Sequence, residues 1–215
     1  MPETIMSTED KNSGKFGFVG GALCLDFTNT ASHYNVEPRN DTLQSYADLV
    51  EWGSMAGIIP PGDEQQLLRE VERRPMQARA AFVKALALRE VLHRIFEAVS
   101  FGRDPESADL GLLNRSLFDA MSHLRLVKSG DGFGWDWTSR RGNLEAIMWP
   151  VARSAAEVLT SEALSKVRQC GGDDCDWLFL DMTRNHSRQW CDMRDCGNRA
   201  KARRHYRKSV GKAPA

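Results

Sequence analysis

Five cysteines occur in the 215 residues, and four of them fall close together. Cys170, Cys175, Cys191 and Cys196 form C-x4-C-x15-C-x4-C, while Cys24 stands far upstream in an apolar stretch. Two close pairs separated by about 12–20 residues are the spacing of a tetrahedral thiolate site for zinc. Each pair sits on one tight turn, and the segment between must leave and return, as a hairpin does. Trp177-Leu178-Phe179-Leu180 reads as the outgoing strand, Asp181 to Ser187 contains the turn, and Arg188-Gln189-Trp190 returns. Four thiolates leave no open position for water or substrate, so one structural zinc per chain is expected. Two disulfides, iron, or four unrelated thiols are the competing readings. Clustered cysteines in a reducing cytosol favour metal. Cys24 reads as a small core residue.

Behind the last cysteine lies a second chemical feature, Gly197-Asn198-Arg199-Ala200-Lys201-Ala202-Arg203-Arg204-His205-Tyr206-Arg207-Lys208. Asn198 is a candidate N-cap, and helical N–H groups near Cys196 would favour its thiolate. At 100° per residue, Arg199, Lys201, Arg203, Arg204, Arg207 and Lys208 span an arc of about 200°. Ala202, His205, Tyr206 and Ser209 fill the opposite side, which is expected to pack on the metal knuckle. The cationic side suits phosphates, and arginine also forks onto guanine edges. Arg184 and Arg188, from the hairpin, would assist. A solvated helix end is the plainer reading. Against it, eight Lys/Arg and one acid, Asp195, occur from Arg194 onward, whereas helices built for solubility more often mix signs.

Elements of ordinary globular composition must hold these two features. Gly20 to Thr30, GGALCLDFTNT, reads as a buried strand. Leu43, Tyr46, Ala47 and Val50 recur at helical spacing, with Asp41 as a candidate cap. Helices are expected from Asp63 to near Pro75, from Met76 to Ser100, from Glu106 to Ser122, and from Asn143 to Leu159 with a kink or restart at Pro150. Period-2 runs at Leu124 to Lys128 and Phe133 to Trp137, around Ser129-Gly130-Asp131-Gly132, read as a β-hairpin. Ser161 caps the short piece SEALSKVR. The polar start, residues 1–15, reads as a flexible tail without the features of a signal peptide.

Lys+Arg and Asp+Glu both number 29, so the chain is formally neutral. Taken whole, that argues against a generic nucleic-acid binder. The neutrality is a cancellation: from Lys166 onward there are 12 bases and 6 acids, and before it 17 and 23. No run reaches the roughly 20 apolar residues of a membrane span, so a cytoplasmic protein without membrane contact is expected. No nucleophile–base pair, phosphate-binding glycine loop or open metal site stands at a convincing spacing, and an enzyme is not expected.

The stretch CDWLFLDMTRNHSRQWCDMRDCGNRAKARRHYRK resembles the CGNR zinc-finger family, whose signature is here Cys196-Gly197-Asn198-Arg199. Upstream, LDFTNT at Leu25 to Thr30, Ala-Leu-Arg-Glu at Ala87 to Glu90 and WPVARSAAEVLTS at Trp149 to Ser161 resemble the ABATE domain that precedes this finger. The resemblance implies an α+β chain. A mostly helical α/β domain with a small antiparallel sheet would occupy residues 16–165, and a treble-clef finger with a basic C-terminal helix residues 166–215. It also implies stress-induced transcription regulation, a role assigned to the family from domain architecture. One departure is Gly171-Gly172-Asp173-Asp174 inside the first cysteine pair, where two acids lower the local potential.

Duplex DNA is the partner this reading favours; an RNA-binding or protein-binding finger is the alternative. In the N-terminal domain, Asp26, Asn29 and Thr30 close an apolar segment, and Arg89 falls on an apolar helix. A buried Arg needs an acid, so a core network pairing Arg89 with Asp26 is the plainer expectation. The sharper one is a pocket in which Asp26, Asn29, Thr30 and Arg89 hold a small anionic ligand against Trp135 or Trp137. A homodimer is compatible with a single small finger but nothing in the sequence requires it.

Overall fold

The structure is a computed structural model that describes residues 15–32, 34 and 40–210, with side chains to residue 207. The tail expected at residues 1–15 lies outside the described residues except for Lys15.

Helix formation follows the apolar spacing closely. The longest element, α4 (Pro75–Ser100), starts with proline in its first turn and carries a buried line through Ala81, Ala85, Leu88, Leu92 and Phe96. Around it pack α1 (Leu23–Thr28), α2 (Tyr46–Met55), α3 (Asp63–Arg73) and α5 (Ser107–Ser122), while α6 (Met148–Leu159) packs on α1 and α5. Three two-stranded antiparallel sheets complete the chain. Strands β1 (Ala31–Ser32) and β2 (Asn40–Asp41) form one, and β3 (Leu124–Ser129) and β4 (Gly132–Trp137) the expected hairpin. Strands β5 (Val167–Gln169) and β6 (Leu178–Leu180) form the third. The chain is mostly helical, with its cysteines at the C-terminal end.

Four sequence expectations change. The segment read as a strand at Gly20 to Thr30 is helix α1. A short run apolar on every side fits either period. Here the Thr28 and Thr30 hydroxyls donate back to the carbonyls of Leu25 and Phe27, at 2.8 and 2.7 Å. Asp41 does not cap α2. Ser45 does, in a reciprocal box with Asp48. The chain from Asn143 to Ile147 forms turns, and α6 begins at Met148, so Pro150 sits in its first turn. Finally, Leu178–Leu180 does not pair with Arg188-Gln189-Trp190. It pairs with Val167–Gln169, in the register Val167↔Leu180 and Gln169↔Leu178. The hairpin therefore encloses the first cysteine pair.

Strand β6 joins the two halves of the protein. Its side chains alternate. Leu178 and Leu180 enter the large apolar core with Leu25, Phe27, Leu92 and Val151. Phe179 enters a second, small core with Cys170, Cys191 and Cys196. Asn29 fixes the strand to α1: its side-chain nitrogen donates to the Leu178 carbonyl and its oxygen accepts the Leu178 N–H, both at 2.9 Å. The Leu180 N–H reaches the carbonyl of Gly20 at 2.8 Å. Gly20 lies so close to α1 that a Cβ there would meet Leu25 Cβ at 2.8 Å.

Replacing Asn29 by Ala leaves both Leu178 backbone groups buried without partners. The expected loss is about 2–4 kcal/mol. In a chain of this size that lowers the thermal midpoint by roughly 5–15 °C, as read by circular dichroism.

Candidate metal centre and basic helix

Four sulfurs converge where β5, β6 and the following loop meet. Cys170 leaves β5, Cys175 sits at the end of the turn Gly172–Cys175, and Cys191 follows the loop from Asp181. Cys196 lies in a wide turn, Met193–Gly197, that leads into α7 (Asn198–Val210). All four Sγ atoms lie within 4.8 Å of one another. Cys191 Sγ is 3.6 Å from both Cys175 and Cys196 Sγ. Zinc–sulfur bonds of about 2.3 Å in a tetrahedron place sulfurs about 3.8 Å apart, so the cluster has the size the ion requires. A disulfide needs about 2.05 Å, and all five cysteines are free. Cys24 is buried away from the cluster, and burial pushes its thiol up to about 12.

Electrostatics show what this cluster lacks by itself. Hydrogen bonds from Cys175 and then Cys191 hold the Cys170 thiol down at about 2. The same bonds push the Cys175 and Cys191 thiols above their ordinary value. Four thiolates this close need a cation among them. Gly172 leaves room: a Cβ there would stand 3.3 Å from Cys175 Cβ and 3.5 Å from Cys196 Sγ.

Side chains around the sulfurs secure the knuckle. Arg199 Nη2 donates to Cys196 Sγ at 3.1 Å, and its Nε pairs with Asp195 at 3.1 Å. Asn198 does not cap the helix as expected. It is already helical, and its side chain donates to the Arg194 carbonyl at 2.8 Å. The cap is Asp192, whose carboxylate accepts the Arg194 N–H. Starting the winding five residues earlier places Cys196 inside the first turn, within reach of the other sulfurs.

The basic residues separate into two groups. Arg188 is half-buried and structural. It donates to the carbonyls of Trp190 (3.1 Å), Val19 (3.0 Å), Leu180 (3.4 Å) and Cys191, and lies 4.2 Å over the Phe179 ring. Arg203 pairs with Asp174 at 2.8 Å and Asp173 at 3.4 Å. Arg184, Lys201, Arg204 and Arg207 are exposed. The side chains of Lys208 and Ser209 lie outside the described ones. The expected packing face is also displaced. Ala202, His205 and Tyr206 point to solvent, and Ala200 and Arg203 face the knuckle. The reason is charge: Asp173 and Asp174 draw Arg203, and so the middle of the basic arc, towards them. The result is a groove of about 380 Å³ lined by Ala200, Arg203, Arg204 and Arg207, with Asp173 in its wall.

The residues considered for a ligand pocket lie in two places. Arg89 donates to Thr30 Oγ1 at 3.0 Å and forks onto Asp41, not Asp26. Asp41 arrives on β2 directly beside β1, whereas Asp26 accepts the Gly20 N–H at 2.7 Å. Asn29 holds Leu178. Trp137 packs on Trp149, and Trp135 lies under Arg153 on α6. A cavity of about 440 Å³ lies elsewhere, between α4, α5 and α6, floored by Ala81, Leu88, Val91 and Trp149.

Three residues of this joint escape sequence reasoning. His93 stacks on Tyr34 at 3.5 Å, with Nε2 3.4 Å from the Asp176 carbonyl oxygen. Asp181 is buried and accepts from Thr183 N, Thr183 Oγ1 and Arg188 N. The Asp181-Met182-Thr183 pattern is a local signal for such a side-chain turn. The stack of Tyr34 on His93 has no local signal.

Arg188→Ala is expected to lower stability by about 2–4 kcal/mol, because four carbonyls lose a charged donor. Arg184→Ala, at an exposed position, should leave the stability within about 0.5 kcal/mol of the unsubstituted protein.

Two family matches cover nearly all the described chain. Residues 166–209 match the CGNR zinc finger, and residues 21–162 match ABATE, described as "Putative stress-induced transcription regulator". No curated protein matches the chain. Among the described residues, no helix is long and apolar enough to cross a membrane. The match over most of its length, together with the four-cysteine cluster at its C-terminal end, makes the chain a member of the ABATE family carrying a CGNR zinc finger.

Proposed function

We propose that this protein is a DNA-binding transcription regulator whose finger holds one structural zinc through Cys170, Cys175, Cys191 and Cys196. The observation that carries the reading is the position of α7. A four-sulfur cluster anchors its first turn, and Lys201, Arg204 and Arg207 are exposed beside an open groove. Such a groove admits phosphates, and each contact releases condensed counterions.

Within this proposal the basic residues have different roles. Lys201, Arg204 and Arg207, with Lys208 and Arg184, contact nucleic acid. Arg199 neutralises the Cys196 thiolate, and Arg188 holds the loop. Arg203 is restrained by Asp173 and Asp174, which act as a brake on the groove. Zinc would supply the charge that four thiolates need and would fix where α7 leaves the knuckle. Asn29 and the two Nη atoms of Arg89 are engaged within the fold, so the proposal rests on the finger and the family.

Five phosphate contacts predict that log K falls with log salt at a slope of about −4.5 on duplex DNA. Replacing Lys201, Arg204 and Arg207 together by Ala should abolish that binding and leave zinc content unchanged. Replacing Asp173 and Asp174 by Asn should strengthen it. Fluorescence anisotropy at several salt concentrations reads all three, and unchanged affinity in the triple variant would overturn the assignment. Tighter binding to a single-stranded RNA of the same length would favour the RNA-binding alternative.

Metal removal provides a separate test. A chelator should take one zinc per chain and lower the thermal midpoint of the whole protein, because β6 belongs to both cores. Protons compete with the metal for thiolates, so zinc is retained at neutral pH and released as pH falls. Arg199→Ala should weaken zinc affinity about 10–100-fold. Protein purified without chelator and free of metal would contradict the zinc site.

A further inference from the structure

The β3–β4 ribbon is apolar on one face only. Its register places Leu124 opposite Trp137, Leu126 opposite Trp135 and Lys128 opposite Phe133. These six share one face, and Arg125, Val127, Gly134 and Asp136 share the other. At the root Trp137 packs on Trp149, with ring centroids 5.9 Å apart. Farther out the face is open: Leu126 is 59% exposed, Trp135 57% and Phe133 75%. Beside it α5 turns out Phe118, 78% exposed, and Met121, 46%. Between ribbon and helices runs a groove of about 290 Å³, lined by Leu117, Met121, Leu124, Trp135 and Ala156, with Arg153 and Glu157, paired with each other at 2.8 Å, on its edge. A lone two-stranded hairpin is marginal in water, and apolar patches beyond a few hundred Å² mark interaction surfaces.

We propose that this face is the interface of a homodimer, in which Phe133 of each copy enters the groove of the other. Three features select a second copy as the occupant. The protruding ring and the groove lie on one surface, as an isologous two-fold contact requires. Lys128, directly across the ribbon from Phe133, then arrives at the Arg153–Glu157 pair on the groove edge, where the second carboxylate oxygen of Glu157 accepts from it. The area is also sufficient. Aromatic side chains cover about 150–250 Å² each, so the five exposed residues offer roughly 600–700 Å². That lies at the lower end of the roughly 600–1,000 Å² per partner of a stable specific interface. This inference goes beyond the DNA-binding reading and does not depend on it. Its consequence there is two basic helices in one particle.

Sedimentation velocity on the full chain across a concentration series tests it, without nucleic acid. The unsubstituted protein should sediment as a dimer. Phe133→Asp, at an exposed ribbon tip, should weaken association about 30-fold or more, with circular dichroism and zinc content unchanged. Lys128→Glu, which turns an acid towards Glu157, should also weaken it. A monomer at the highest soluble concentration would overturn the proposal. So would a dimer indifferent to Phe133→Asp. A partner recovered only as a different protein or a lipid surface, with the chain itself monomeric, would overturn it equally.

Discussion

Everything in this structure turns on a three-residue strand with two sides to bury. Leu178 and Leu180 complete the helical core, and Phe179 completes the cysteine core. A strand with both faces covered has no water for its backbone, so its N–H and C=O groups need partners within the protein. Strand β5 supplies some of them, and Asn29 supplies the remainder at Leu178. The finger is therefore seated on the helical half through buried, directional contacts. Trp177 Nε1 on the Ala31 carbonyl, at 3.1 Å, and Arg188 on Val19 extend the same joint.

This joint gives a physical meaning to the family motifs. LDFTNT contributes Asn29 to the strand clamp and Thr30 to Arg89. Ala-Leu-Arg-Glu contributes Arg89, which fixes β2 through Asp41. WPVARS contributes Trp149, whose Nε1 donates to Asp119 at 3.0 Å, and Ser154, which accepts the Cys24 N–H at 3.2 Å. These polar residues sit at element junctions, where a backbone group or a charge would otherwise be buried alone. The cysteine cluster and the helical half therefore meet through β6 and through the contacts of Trp177 and Arg188 beside it.

Charge acts at two ranges. At contact range, Asp173 and Asp174 hold Arg203 and orient α7 on the knuckle. At longer range, the acidic N-terminal part and the basic C-terminal part cancel over the whole chain. Lys201, Arg204 and Arg207 stay exposed, and Arg204 and Arg207 line the groove whose wall carries Asp173.

The sequence by itself determined the four-cysteine cluster, the helices α3, α4 and α5, and the β3–β4 hairpin. Each depends on spacing within one turn, one helical period or one alternating run, and such spacing is local. It also located the charge excess, which is additive along the chain. Only the tertiary structure decided that GGALCLDFTNT is helical, that β6 pairs with β5, that Arg89 meets Asp41, and which arginines remain free. Those outcomes depend on competition among partners distant in sequence. Asp26 and Asp41 are equally good acids for Arg89, and only the position of β2 beside Thr30 selects between them. Arg188 and Arg204 are likewise the same residue type, and burial against Phe179 makes one of them part of the fold.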